Sequence, residues 1–188
     1  MSDPRDAAAE AAFSVICERL ATERGLHAET AAAAAGRLSG TFLFRSFALP
    51  AQSLPPGSPV FSDEANRLGP HLVDVLFTAL GRLGVLVDPQ VDGRGADLSL
   101  VRLSLQQSQE LLYPPLTAIR DGLGLADRQM SEAVAVAAAR VVHATSATLD
   151  PRVAVGFAVH GIVEGCKTVP YAARPPDGQR GRPGRGQG

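Results

Sequence analysis

The sequence predicts an all-α protein: a compact bundle of five or six helices over residues 4–170. Three observations carry this. Apolar residues recur at helical spacing in several separated stretches. Asp3-Pro4 and Asp150-Pro151 each pair a capping residue with a proline at the first helical position. Alanine-rich runs, above all "TAAAAAG" at residues 30–36, favour helix strongly.

The first helix is expected over about residues 4–24, with Ala8, Ala12, Phe13, Ile16, Cys17 and Leu20 on one face and Gly25 as its stop. The second follows from His27, with Leu38, Phe42, Leu43 and the alanines as its apolar side, and Pro50 closes it. Residues 50–59, "PAQSLPPGSP", read as an exposed crossover loop. The third is the cleanest amphipathic stretch: Leu68, Leu72, Val75, Leu76, Ala79 and Leu83 oppose Arg67, His71, Asp74, Thr78 and Arg82. Gly69-Pro70 is expected to kink it or to mark its true start.

Residues 85–101 are ambiguous. The Asp92-Gly turn flanked by Val and Leu fits a small β-hairpin, but the preferred reading is a helix from about Asp97 to Leu112, capped by Asp97 and stopped by Pro114-Pro115, because "QQSQELL" supplies helix formers. A fifth helix is expected over 126–148 and a sixth from Pro151 to about Cys166. The stretch 171–188 changes composition to Arg, Gly and Pro and is expected to be a disordered tail.

The totals narrow the function classes. A chain of 188 residues is enough for one domain that buries roughly 70% of its unfolded surface. A formal net charge of −1 gives no overall attraction to nucleic acid or an anionic membrane. Nucleic acid is then expected to be met weakly, if at all, through the arginines of the tail. The two cysteines, Cys17 and Cys166, make no disulfide framework and fit a reducing compartment. "MSDPRDAAAEAA" carries early acids instead of the apolar core of a signal peptide, and no stretch reaches the length of a membrane span. A cytoplasmic protein is expected. Lys167 is the single lysine among many arginines, the compositional mark of a GC-rich genome.

Two helices carry a G-x-x-x-G pair, Gly36/Gly40 in the second and Gly161/Gly165 in the sixth, at a constant offset of 125 positions. Identities over residues 12–44 against 137–169 are too few to establish a duplication. The glycines themselves demand explanation, since each costs roughly 1 kcal/mol against alanine inside a helix. Close backbone approach by another helix is the usual compensation. That helix is either the other glycine helix of the same chain or its copy in a second subunit.

The polar candidates are sparse. Arg152, Gly156, His160, Glu164 and Lys167 form one narrow line on an otherwise apolar sixth helix. His160 and Glu164 stand at the spacing of a contact pair, with neither a metal-binding H-E-x-x-H nor a cysteine cluster beside them. Cys166 beside Lys167 lies at a helix C-terminus, the wrong end to lower a thiol's pKa. Arg37, Thr41 and Arg45 form a basic stripe on the second helix, and Phe42, Phe44 and Phe47 point in several directions, so that one of them is expected at an interface. No catalytic residue, cofactor or metal is predicted.

The function expected is therefore that of a non-catalytic helical protein. It would associate with itself or with another protein through Gly36, Gly40, Gly161, Gly165, Arg37, Arg45, Phe44 and Phe47. The alternative is a small-molecule-binding protein or enzyme, with a pocket between helices built on His160, Glu164 and Arg45, and with Cys166 and Lys167 nearby.

Overall fold

The computed structural model describes residues 3–47 and 54–171. Residues 48–53, which include the start of the expected 50–59 crossover, and residues 172–188 of the tail expected over 171–188 lie outside the described residues. The described chain is an all-α bundle: α1 (Pro4–Leu20), α2 (Ala28–Arg45), α3 (Asp63–Arg82), α4 (Leu105–Gly122), α5 (Asp127–Ala144) and α6 (Pro151–Cys166). A two-residue hairpin joins the first two helices, with β1 (Ala21–Thr22) antiparallel to β2 (Gly25–Leu26).

The small hairpin is thus at residues 21–26, and not at 85–101. Thr22 explains its position. Its hydroxyl donates to the Gly25 carbonyl at 2.8 Å and accepts from the Arg24 N–H, so α1 stops at Leu20 instead of running to Gly25. In the 85–101 segment Asp97 caps only a short 3-10 turn, Leu98–Leu100. The Gly93 turn does not reverse a strand. Its N–H donates to the Arg152 carbonyl at 2.8 Å, and its backbone lies against Gly156, which pins the loop to α6.

The fourth helix corrects the expectation of a stop at Pro114-Pro115. It starts afresh at a Ser104/Gln107 capping box and passes through both prolines to Gly122. The two prolines withhold hydrogen bonds from the carbonyls of Glu110 and Leu111, and Glu110 is exposed, so water can serve there. The buried face, Leu105, Ser108, Gln109, Leu112 and Leu116, continues past the prolines and holds the helix together. Pro70 is accommodated in α3 in the same way. That helix begins at Ser62, whose side chain accepts from the Ala65 N–H at 3.1 Å, and is continuous through Gly69-Pro70.

The centre of the bundle is α2. Every residue from Thr30 to Phe44 is buried, because α6, α5, α4, α3 and α1 all pack on it. Its broadest partner is α6. A Cβ on Gly36 would overlap the Ala158 carbonyl oxygen, and one on Gly161 would overlap that of Ala33. Likewise Gly40 meets the Ile162 carbonyl and Gly165 that of Arg37. The contacts advance in the same direction on both helices, so α2 and α6 run parallel. Each contact maps onto its counterpart through the same offset of 125 positions. The glycine helices therefore meet within one chain, as a locally two-fold pair. The symmetry stops there: α2 packs broadly on α5, whereas α1 and α6 scarcely meet.

Substitutions should separate these glycines from the others. Gly161→Ala is expected to cost at least about 2 kcal/mol, because the new methyl meets rigid backbone. Gly81→Ala, where nothing lies within 4 Å of the added methyl, is expected to gain about 0.5–1 kcal/mol from the lower entropy of the unfolded chain. Urea unfolding of the two variants checks both signs.

Candidate functional site

The polar line on α6 divides once the helix is packed. Arg152 is exposed and paired with Asp150 at 2.7 Å, Gly156 lies beneath Gly93, and His160 is exposed. Glu164 points inward instead, because the glycine seam brings α2 close enough for Arg37 to reach it. The Arg37 Nε donates to Glu164 Oε2 at 2.6 Å. The guanidinium also donates to the Leu103 carbonyl and, at 3.4 Å, to the Ser108 hydroxyl. Arg37 is thereby a buried residue, 8% exposed, and not part of a surface stripe.

The cluster extends one turn further. The Thr41 hydroxyl donates to the Arg37 carbonyl at 2.7 Å and accepts from Gln109 Nε2 at 2.8 Å. Gln109 Oε1 accepts the Tyr171 N–H at 2.8 Å, which ties the chain after α6 back to α4. Among the described residues the only buried side-chain nitrogen or oxygen without a partner is Thr117 Oγ1, outside this cluster. Every fully buried side-chain nitrogen and oxygen of this cluster therefore has a partner. The cluster works as a clamp on α2, α4 and α6. Ser108 and Gln109 are the members the sequence did not single out. Their signal is two polar residues within the apolar face of α4.

The remaining candidates are dispersed. Arg45 is exposed, with its guanidinium carbon 4.5 Å from the centroid of the Tyr113 ring. Phe42 and Phe44 are buried and Phe47 is half-buried against Phe44, so none of the three is an exposed anchor. His160, Glu164 and Arg45 do not converge on one pocket: Glu164 is held by Arg37, and Arg45 lies over Tyr113. Cys166 is 1% exposed, and burial pushes its thiol up, with Lys167 countering only in part. Burial also raises the Cys17 thiol. Among the described residues no group of three or more His, Cys, Asp or Glu side chains is placed to hold a metal.

An exposed feature lies on the other side of α6. Phe61, 88% exposed, stands just before the Ser62 cap of α3. A hydrophobic residue there normally packs on the fourth helical position. That position is Asn66, so Phe61 has no staple partner and projects outward. Beside it, α3 and α6 enclose a groove of about 310 Å³. Ala65, Gly69, Val73 and Val163 supply its apolar lining, Lys167 and Asp74 its charges, and the Cys166 sulfur its base. The groove keeps its shape because residues 57–60 pair with 167–169. Val60 N–H donates to the Lys167 carbonyl at 2.7 Å and Val169 N–H to that of Ser58 at 2.9 Å. The unpartnered position before the cap was the clue available in the sequence.

Comparison with known proteins gives no match to a family model, a curated protein or a solved structure.

Two measurements test this assignment of roles. Glu164→Gln leaves the Arg37 charge buried without its counter-ion and is expected to cost about 2–3 kcal/mol in urea unfolding, with an unchanged m value. Iodoacetamide at neutral pH is expected to modify native Cys166 slowly and the unfolded chain rapidly. Fast labelling of native Cys166 would contradict its structural role.

Proposed function

We propose that this protein acts without catalysis of its own, by self-association, and that the α3/α6 groove of one copy receives Phe61 of a second. The observation that carries this is Phe61, 88% exposed beside an apolar hollow of about 310 Å³. A two-fold interface needs a knob and a hollow on each copy, and this chain carries both. The charges support the same occupant. Lys167 lies at the Phe61 end of the groove, where its carbonyl accepts from Val60. Asp74 lies further along α3, about 14 Å beyond Ala65 by helical rise. A two-fold partner would set each Lys167 opposite the other copy's Asp74. The two free cysteines, one buried and one half-buried, fit a reducing, cytoplasmic setting for such an assembly.

Sedimentation equilibrium is the test. The wild-type chain is expected to reach twice its mass of 19.6 kDa with rising concentration. Burying a phenylalanine contributes about 1.5–3 kcal/mol, and two are buried per dimer, so Phe61→Ser is expected to weaken association at least a hundredfold. His160→Ala should leave it unchanged. Lys167→Asp should weaken the dimer, and adding Asp74→Lys should restore it. A wild-type chain that stays monomeric at every concentration would overturn the proposal.

A further inference from the structure

A second concavity, which shares only Asp74 with the α3/α6 groove, has a charge pattern of its own. Helices α1 and α3 both lie on α5 but scarcely touch each other, which leaves a cleft of about 430 Å³ floored by α5. One end is pinned by Glu132 of α5, which takes His71 of α3 at 3.1 Å and Arg5 of α1 at 3.5 Å. Asp6 and Asp74 line the cleft near that end. The far end is basic. Arg82, in the last turn of α3, lies there with Arg140 of α5, which is anchored by Glu10 of α1. Between the ends the wall is apolar, with Val75, Ala79 and Val136. Among the described residues the side chains of Asp6, Asp74 and Arg82 make no hydrogen bond or ion pair.

Arg5, Glu10, Glu132 and Arg140 are paired among themselves, so among the described residues the unpaired charges of the cleft are Asp6 and Asp74 at one end and Arg82 at the other. Eight residues of α3 separate Asp74 from Arg82, about 12 Å by helical rise. We propose that this cleft binds a zwitterionic, rod-shaped ligand whose ammonium meets Asp6 and Asp74 and whose carboxylate meets Arg82 and Arg140, with an apolar body between. A short apolar peptide with free termini has this form. At about 3.3–3.6 Å per extended residue, roughly four residues span the two ends. The cleft's volume lies in the range of small-molecule sites, and the planar guanidinium suits a terminal carboxylate.

Asp74 stands on the ridge shared with the α3/α6 groove, so the test uses Asp6 and Arg82, which line the cleft alone. Isothermal titration calorimetry with tetra-alanine is expected to show binding that N-acetylation or C-terminal amidation each weakens at least tenfold. Asp6→Asn should weaken the free peptide about as much as acetylation does, and should make no further difference to the acetylated one. Arg82→Gln should behave likewise toward the amidated peptide. Both residues are exposed, and circular dichroism verifies that the variants fold. An ω-amino fatty acid of matching span tests whether the end charges suffice: binding of both probes assigns recognition to the termini, and binding of the peptide alone adds the amides. Absence of tetra-alanine binding, or equal binding of the doubly capped peptide, would overturn the proposal.

Discussion

The rest of the bundle depends on one contact, the backbone-to-backbone approach of α2 and α6. Four glycines at matching positions let the two helices run side by side with no side chain between them. Each glycine is a poor choice for a helix in isolation. Together they allow α2 to be enclosed on all sides by the remaining helices. The same approach brings Arg37 to Glu164 and makes possible a partly buried ion pair that also holds α4 through Leu103 and Ser108. Any side chain added at the seam would shift the carbonyls that this clamp uses, because Gly165 faces the carbonyl of Arg37 itself.

Inside and outside are consequently divided between two kinds of polar chemistry. The interior groups, Arg37, Thr41, Ser108, Gln109 and Glu164, are committed to one another and specify a single packing of three helices. The groups that remain available face outward: Phe61 and Lys167 at one groove, Asp6 and Arg82 at another cleft. Of the two cysteines, Cys166 is buried and Cys17 half-buried. The Cys166 thiol forms the floor of a groove and is shielded from being ionised.

Much of the fold was legible in the residues, and for identifiable reasons. Asp3-Pro4 and Asp150-Pro151 mark helix starts by local chemistry that needs no tertiary context, and both helices begin there. The glycine pairs announced a close approach, and the structure resolves the choice of partner in favour of the same chain. Pro114-Pro115 misled, since both stay inside a helix whose buried face outweighs the lost hydrogen bonds, and Pro70 is not the start of α3. Thr22 displaced the hairpin by a hydrogen bond of its own hydroxyl. The candidate sites were less legible. Arg37 and Glu164 lie 127 positions apart, and only the seam brings them together. The Arg37–Thr41–Arg45 stripe had the spacing of a surface, but helical spacing does not say which faces a neighbour covers. Phe61 was readable only by asking what its staple partner would have been.

The close approach of α2 and α6 within one chain can be observed directly by nuclear Overhauser contacts at the glycine α-protons. In uniformly labelled protein, Gly36 is expected to show contacts to Ala158 and Gly161 to Ala33. In an isotope-filtered experiment on mixed labelled and unlabelled chains, the same contacts should be absent. Loss of the contacts in the first sample, or their appearance in the second, would contradict an intramolecular seam and the bundle built around it.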